Sequence, residues 1–232
     1  MKRQKTIIPF VLAAAVALSL CGCASSYHAR SVELKQTLLV DPSILSPGKD
    51  DQALYLYKNP QAKGRHYTKM LVDPVLLSRS AELDAERREN LQKLANNAFH
   101  YLVDELRNDF EIVTSTGPGT VRFQMAILDA EPSSPVRNVV SSVVPIGIGI
   151  SAISGAATGK QTGVGEITAE MKVTDAMTGE LLGAAVDRRV GGKDPGGMFD
   201  SWHNADASIK YWAKRARFIL CTERGGKDCV KP

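Results

Sequence analysis

Apolar and polar residues alternate with two different periods along this chain, and the changes of period divide it into elements. Ala53 to Lys58 and Lys69 to Leu77 are short apolar or aromatic runs bounded by proline and glycine, the signature of strands. The spacing then lengthens. Leu91, Leu94, Ala95, Ala98, Leu102 and Leu106 recur at three and four residues, with Glu89, Lys93, Asn97, Asp104 and Arg107 largely on the other face. That pattern predicts an amphipathic helix, with Ser80 or Asp84 as its cap. After Asn108-Asp109 the period falls to two. Phe110 to Thr114 reads as a strand and Thr116-Gly117-Pro118-Gly119 as a turn; Val121, Phe123, Met125 and Ile127 then alternate with Arg122, Gln124 and Ala126. Further on, Ile167, Ala169, Met171 and Val173 oppose Glu166, Thr168, Glu170, Lys172 and Thr174. Asp175-Ala176-Met177-Thr178-Gly179-Glu180 predicts a hairpin turn, and the returning strand puts Leu182, Ala184, Val186 and Val190 on one face. One face of such a sheet is solvated or thinly covered.

A last helix is predicted from about Asp200 to Leu220, striped by Trp202, Ala205, Ile209, Trp212, Ala216 and Ile219, with Lys210, Lys214 and Arg217 off the stripe. The order is β–β–α–β–β–(apolar segment)–β–β–α. It predicts an α+β two-layer sandwich: a mostly antiparallel sheet of about five or six strands with two helices on one face.

The apolar segment, 139–159, breaks both periods. No residue between Arg137 and Lys160 is charged, which by length would permit a membrane helix. Pro145, the glycines and several β-branched residues weaken a helix there, and Ile146, Ile148 and Ile150 alternate with Gly147, Gly149 and Ser151 as in an extended chain. The preferred reading is a long loop tucked over the core. An insertion that meets a partner or the lipid surface, and a hairpin entering a bilayer as part of an oligomeric barrel, remain open. The barrel needs neighbours to close it, because unpaired backbone in lipid costs several kcal/mol per group.

The first residues change the compartment. Lys2, Arg3 and Lys5 precede an uncharged apolar run from Ile7 to Leu20, and Gly22 offers a small residue for cleavage. Residues 1–22 therefore read as a secretory signal peptide. Leu20-Cys21-Gly22-Cys23 resembles the lipobox of bacterial lipoproteins, which implies cleavage before Cys23 and lipid attached to its sulfur. Each buried methylene contributes about 0.8 kcal/mol, so several acyl chains make a firm anchor. Ala24 and Ser25 follow, with no aspartate beside the anchor. By resemblance to sorted lipoproteins this implies the outer membrane, with the domain facing the periplasm. Pro42, Pro47, Gly48 and Asp50-Asp51 break up the following stretch, so 23–52 reads as anchor and tether and 53–232 as one α+β domain. The formal charge of +4 includes the three cations of the leader, and without them it is +1. A near-neutral mature chain excludes nucleic acid as a partner.

Cys221 and Cys229 flank a polar stretch with a Gly225-Gly226 turn. In an oxidising periplasm they predict a disulfide loop over 221–229. His28, His66, His100 and His203 show no ligand spacing around them, so no metal and no cofactor is expected. Gly155 to Thr162 resembles a phosphate loop but has its first glycine one residue too close, and Gln161 stands where a serine or threonine belongs. No nucleophile elbow or zinc-protease motif is present, so no catalytic residues are assigned and no enzyme is expected. Asp187-Arg188-Arg189 with Gly191-Gly192-Lys193-Asp194 is a dense polar cluster, read as a solvated strand end with a glycine turn in preference to an anion or partner site.

Several stretches together carry a family resemblance: Tyr67 to Val75, Gly117 to Thr120, Ala126 to Ala130, Gly165-Glu166 through Asp175 to Leu182, Val186 to Arg189 with Gly191 to Lys193, and Trp202 with Trp212-Ala213. On these the chain resembles the bacterial lipoprotein family catalogued as domain of unknown function 3313. The strand–turn–strand from Met171 to Val186 is similar, at the level of fold, to periplasmic domains of curli-export and synthase-activating lipoproteins. Fold likeness does not transfer function. The expectation is a non-enzymatic envelope lipoprotein that binds another envelope protein or a cell-wall component. The alternative is an oligomeric outer-membrane export or pore subunit that inserts 139–159.

Overall fold

The computed structural model describes residues 26–28, 34, 37–78, 84–131, 165–192 and 200–232. The signal peptide, Cys23 and the segment 139–159 lie outside these residues.

Among the described residues nine strands form one sheet: β1 (Ser26–His28), β2 (Ser46–Pro47), β3 (Tyr55–Lys58), β4 (Lys69–Val72), β5 (Leu76–Leu77), β6 (Glu111–Val113), β7 (Thr120–Glu131), β8 (Glu166–Asp175) and β9 (Leu181–Gly191). Two helices pack on one side of it, α1 (Ala85–Leu106) and α2 (His203–Glu223). The strands run in the order β2-β3-β9-β8-β7-β4-β6, with β1 extending the β3 edge along β9 and β5 extending β4 along β7. The three long strands β7, β8 and β9 are antiparallel. β4 and β5 instead pair parallel to β7, and β4 pairs parallel to β6. The sheet is therefore mixed, because α1 carries the chain from β5 over to β6 and a helical crossover returns a strand in the same direction.

Local signals account for the helices. Asp84 caps α1 by accepting from the N–H of Arg87 at 2.7 Å, and the inward stripe is Leu91, Leu94, Ala95, Ala98, Leu102 and Leu106. α2 ends in a Schellman arrangement: Gly225 takes φ 76°, its N–H donates to the Thr222 carbonyl, and the Gly226 N–H donates to the Cys221 carbonyl at 2.9 Å. The helices meet through polar contacts as well as apolar ones. Asn97 Nδ2 and the Tyr101 hydroxyl both donate to Asp206, at 3.0 and 3.1 Å.

The helix-side face of the sheet carries Val121, Phe123, Met125 and Ile127 of β7 with Ile167, Ala169, Met171 and Val173 of β8, packed against both helices. The far face holds Ala126, Glu170 and Val186 side by side, followed by Ala184 and Val190. A strap of backbone lies over it: the N–H groups of Leu38, Leu39 and Val40 all donate to the Glu170 carboxylate, at 2.6, 3.0 and 2.9 Å. The segment read as a tether thus contributes β1, the strap and β2 to the folded body. Leu39-Val40-Asp41-Pro42 and Leu71-Val72-Asp73-Pro74 have the same sequence but different surroundings. Asp41 caps its own short helix, whereas Asp73 takes a salt bridge from Arg122.

Candidate functional site

β9 and α2 form the seam beside which the site opens. The alternation in β9 places Val186 and Val190 away from the helices, so Asp187 and Arg189 point towards them. Both are nearly inaccessible, at 2% and 5% exposure. Asp187 accepts from Trp212 Nε1 at 2.7 Å and from the Leu54 N–H at 3.1 Å, and the Arg189 guanidinium lies 3.7 Å from the centre of the Tyr211 ring. Burial lowers the Arg189 pKa from its ordinary value, opposed by Tyr211 and Asp187. The Asp187–Arg189 cluster is therefore an internal seam and not a solvated strand end. At its end the helix comes very close to the sheet: a Cβ on Gly191 would fall 2.4 Å from the Asn204 side chain. Asn204 and Ser208 are buried there.

Towards the C-terminal half of α2 the two layers part. Gly183 and Ala185 of β9 offer almost no side chain to fill the gap on the helix side. A cavity of about 370 Å³ opens between them and the helix. Its floor includes Val121, Phe123, Met171 and Val173 of the sheet, and its roof Ala216, Ile219 and Leu220 of α2. Ile219 belongs to the apolar stripe of the helix yet is 45% exposed. Such space contrasts with the close packing of protein interiors and falls at the small end of ligand pockets, about 300–1,000 Å³.

The mouth is charged. Lys58, Lys63, Arg65, Arg215 and Arg224 line the cavity, against one carboxylate, Glu223. Lys58 of β3 reaches across to Glu223 of α2 at 2.6 Å. Arg65 grips Glu180 with two nitrogens, at 2.6 and 2.9 Å, and Asn59 Nδ2 donates to the same carboxylate. The Glu180 bond, then Tyr67, hold the Arg65 pKa above its ordinary value, and Arg65 in turn holds Glu180 below its own. Burial raises the pKa of Tyr67, whose hydroxyl donates to Asp175 at 2.9 Å. Arg224 and Arg217 both pair with the half-buried Asp109, at 2.8 Å each. Two cations differ from these. Arg215 donates through Nη2 to the neutral Asp51 carbonyl, while its Nη1 is buried without a hydrogen-bond partner among the described residues. Lys63, at the exposed rim, makes no ion pair among the described residues.

Cys221 and Cys229 are joined by a disulfide at the end of α2. A Cβ on Gly226 would lie 2.7 Å from the Cys221 sulfur, so the glycine leaves room for the bridge. Neither cysteine lines the cavity. Among the described residues no group of three or more His, Cys, Asp or Glu side chains is placed to hold a metal, and no helix is long and apolar enough to cross a membrane. Sequence reading did not single out Lys63, Arg65 and Arg215 as a group, because the first two lie in one short stretch and Arg215 in another far along the chain. The one local signal was Ile219, an apolar position at the end of a stripe whose covering surface no sequence pattern supplies.

A family model spans residues 35–216, and the chain belongs to that family, described as a protein of unknown function (DUF3313). No curated protein matches the sequence. Solved structures with a similar arrangement include PelC from Paraburkholderia phytofirmans, crystallised as a dodecamer, at 12% identity and TM-score 0.39, covering 75% of this chain and 96% of that one. Protein XCC0632 from Xanthomonas campestris, of family DUF330, is 8% identical with TM-score 0.39 and covers 72% and 92%. A DUF4136 protein, BT2437 from Bacteroides thetaiotaomicron, is 12% identical with TM-score 0.33 and covers 76% and 98%.

Proposed function

We propose that this chain is a lipid-anchored protein of the bacterial outer membrane, and that its periplasmic α+β domain binds a component of the envelope without catalysing a reaction. The observation that carries the binding half is the cavity under α2, apolar within and rimmed by cations. Three of the five rim cations, Lys58, Arg65 and Arg224, are each held in place by an ion pair, and Lys63 and Arg215 make none among the described residues. The anchor half rests on the leader and the Leu20-to-Cys23 motif. The start of β1 at Ser26 fits it. A fully extended chain spans at most about 3.3–3.6 Å per residue, so the lipid on Cys23 would hold the β1–β9 edge within about 11 Å of the bilayer surface.

The test is the mass of the N-terminal peptide from membrane-extracted protein, beside fractionation of Cys23→Ala. The expected result is a peptide starting at Cys23 with acyl chains on it, and loss of the variant from the outer membrane. An unmodified peptide, or a Cys23→Ala protein that stays in that membrane, would refute the anchor.

A further inference from the structure

We infer that the cavity under α2 takes a single-chain amphiphile with an anionic head, the chain between the sheet and α2 and the head at Lys63 and Arg215. This deepens the binding reading above and rests on it. Three observations converge. The interior surface is mostly apolar and open to solvent, and Ile219, a stripe residue of α2 in its lining, is nearly half exposed among the described residues. An alkyl chain there would bury what the helix pattern was built to bury. The charged residues of the lining are five cations to one carboxylate, which favours an anionic head over a neutral or cationic one. Within that lining ion pairs occupy Lys58, Arg65 and Arg224, while Lys63 and Arg215 make none among the described residues, Arg215 donating to the Asp51 carbonyl. A carboxylate or phosphate at the mouth would meet its countercharge at Lys63, exposed on the rim, and at the accessible part of Arg215. The size fixes the chain number: about 370 Å³ is at the small end of ligand pockets and suits one chain rather than two.

The chemistry is shared by a free fatty acid and a lysophospholipid, so the test separates them. The protein is the mature chain, residues 23–232, carrying Cys23→Ser so that its own lipid is absent; every described element is retained. Calorimetric titration uses decanoate, dodecanoate and dodecyltrimethylammonium below their micellar concentrations. One saturable site is expected for dodecanoate, tighter than decanoate by about fourfold per added methylene, with the trimethylammonium at least tenfold weaker. Ala185→Leu, which extends a side chain from the floor, should weaken dodecanoate tenfold or more. Arg215→Gln should weaken dodecanoate severalfold and leave dodecanol unchanged. The second variant keeps the proposal falsifiable if the first fails to fold. Native mass spectrometry after mixing with phosphatidylglycerol vesicles, with and without lysophosphatidylglycerol, identifies the source. One lysolipid retained would place the ligand in the bilayer, and dodecanoate binding without it would make the ligand a free fatty acid.

Several results would overturn the inference: no saturable heat with dodecanoate, equal affinity for both headgroup signs, full binding by a folded Ala185→Leu protein, or retention of the diacyl lipid as tightly as the single-chain one. None of them bears on the acylation of Cys23, so the anchor reading stands or falls separately.

Discussion

Replacing Glu170 with glutamine tests whether charge holds the strap against the far face of the sheet. Glu170 is in the middle strand, 0% exposed, with Ala126 and Val186 beside it. Its Oε2 accepts from Leu38 and Leu39 and its Oε1 from Val40, at 2.6, 3.0 and 2.9 Å. A hydrogen bond to a charged group contributes about 1.5–3 kcal/mol, roughly twice a neutral one. Glutamine retains one oxygen, which can serve Leu38 and Leu39 at about half the strength. Its amide nitrogen then faces the Val40 N–H, donor against donor. Against these losses stands the desolvation of a buried carboxylate, which glutamine avoids. The expected net loss is about 2–4 kcal/mol, a large part of the roughly 5–15 kcal/mol typical of a domain. Urea unfolding of the mature chain, followed by tryptophan fluorescence, reads the loss as a lower midpoint at unchanged slope. Amide exchange at residues 38–40 should quicken more than elsewhere. A loss under about 0.5 kcal/mol, the range of an indifferent surface change, with exchange at 38–40 unaltered, would refute the clamp.

Trp212→Phe removes the indole donor from buried Asp187 and should cost about 1–3 kcal/mol; an unchanged urea midpoint would mean that this bond contributes nothing. Gly191→Ala forces the Asn204 side chain aside and should destabilise by about 1–3 kcal/mol, with Asn204→Ala restoring part of the loss in the double variant. Reducing the Cys221–Cys229 bridge should lower stability by about 2.5 kcal/mol on chain entropy, measured as the difference between urea curves with and without reductant. Asp175 gives a pH dependence: its carboxylate is held below its ordinary pKa, chiefly by the Thr178 N–H. A depressed folded-state pKa stabilises above the ordinary carboxylate range and loses that contribution as pH falls through the folded value. Unfolding curves should therefore be flat from neutrality down to the ordinary carboxylate range and fall below it. Asp175→Asn should show a shallower fall, and an identical pH profile in the variant would count against the assignment.

The sequence by itself determined the elements. The six inward residues of α1, the alternation of β7 and β8, the hairpin turn at Asp175 to Glu180 and the Cys221–Cys229 bridge all follow from contacts within a few residues, so period and turn chemistry reveal them, while the choice of Asp84 over Ser80 as the cap came from the fold. What it left open depends on partners distant in the chain. Alternation divides β9 into two faces but does not say which one meets the helices. Packing put Asp187 and Arg189 under α2 because Trp212, Tyr211 and the Leu54 N–H are there to receive them. Likewise, a glutamate facing away from the core reads as solvated until a strap from 130 residues upstream brings three N–H groups to it. The parallel pairing of β4 with β6 and β7 is a property of the α1 crossover and has no local sign. The cavity is the clearest case. It exists because Gly191 lets one half of α2 approach the sheet while Gly183 and Ala185 leave the other half unsupported, a difference in layer spacing that only the assembled fold contains.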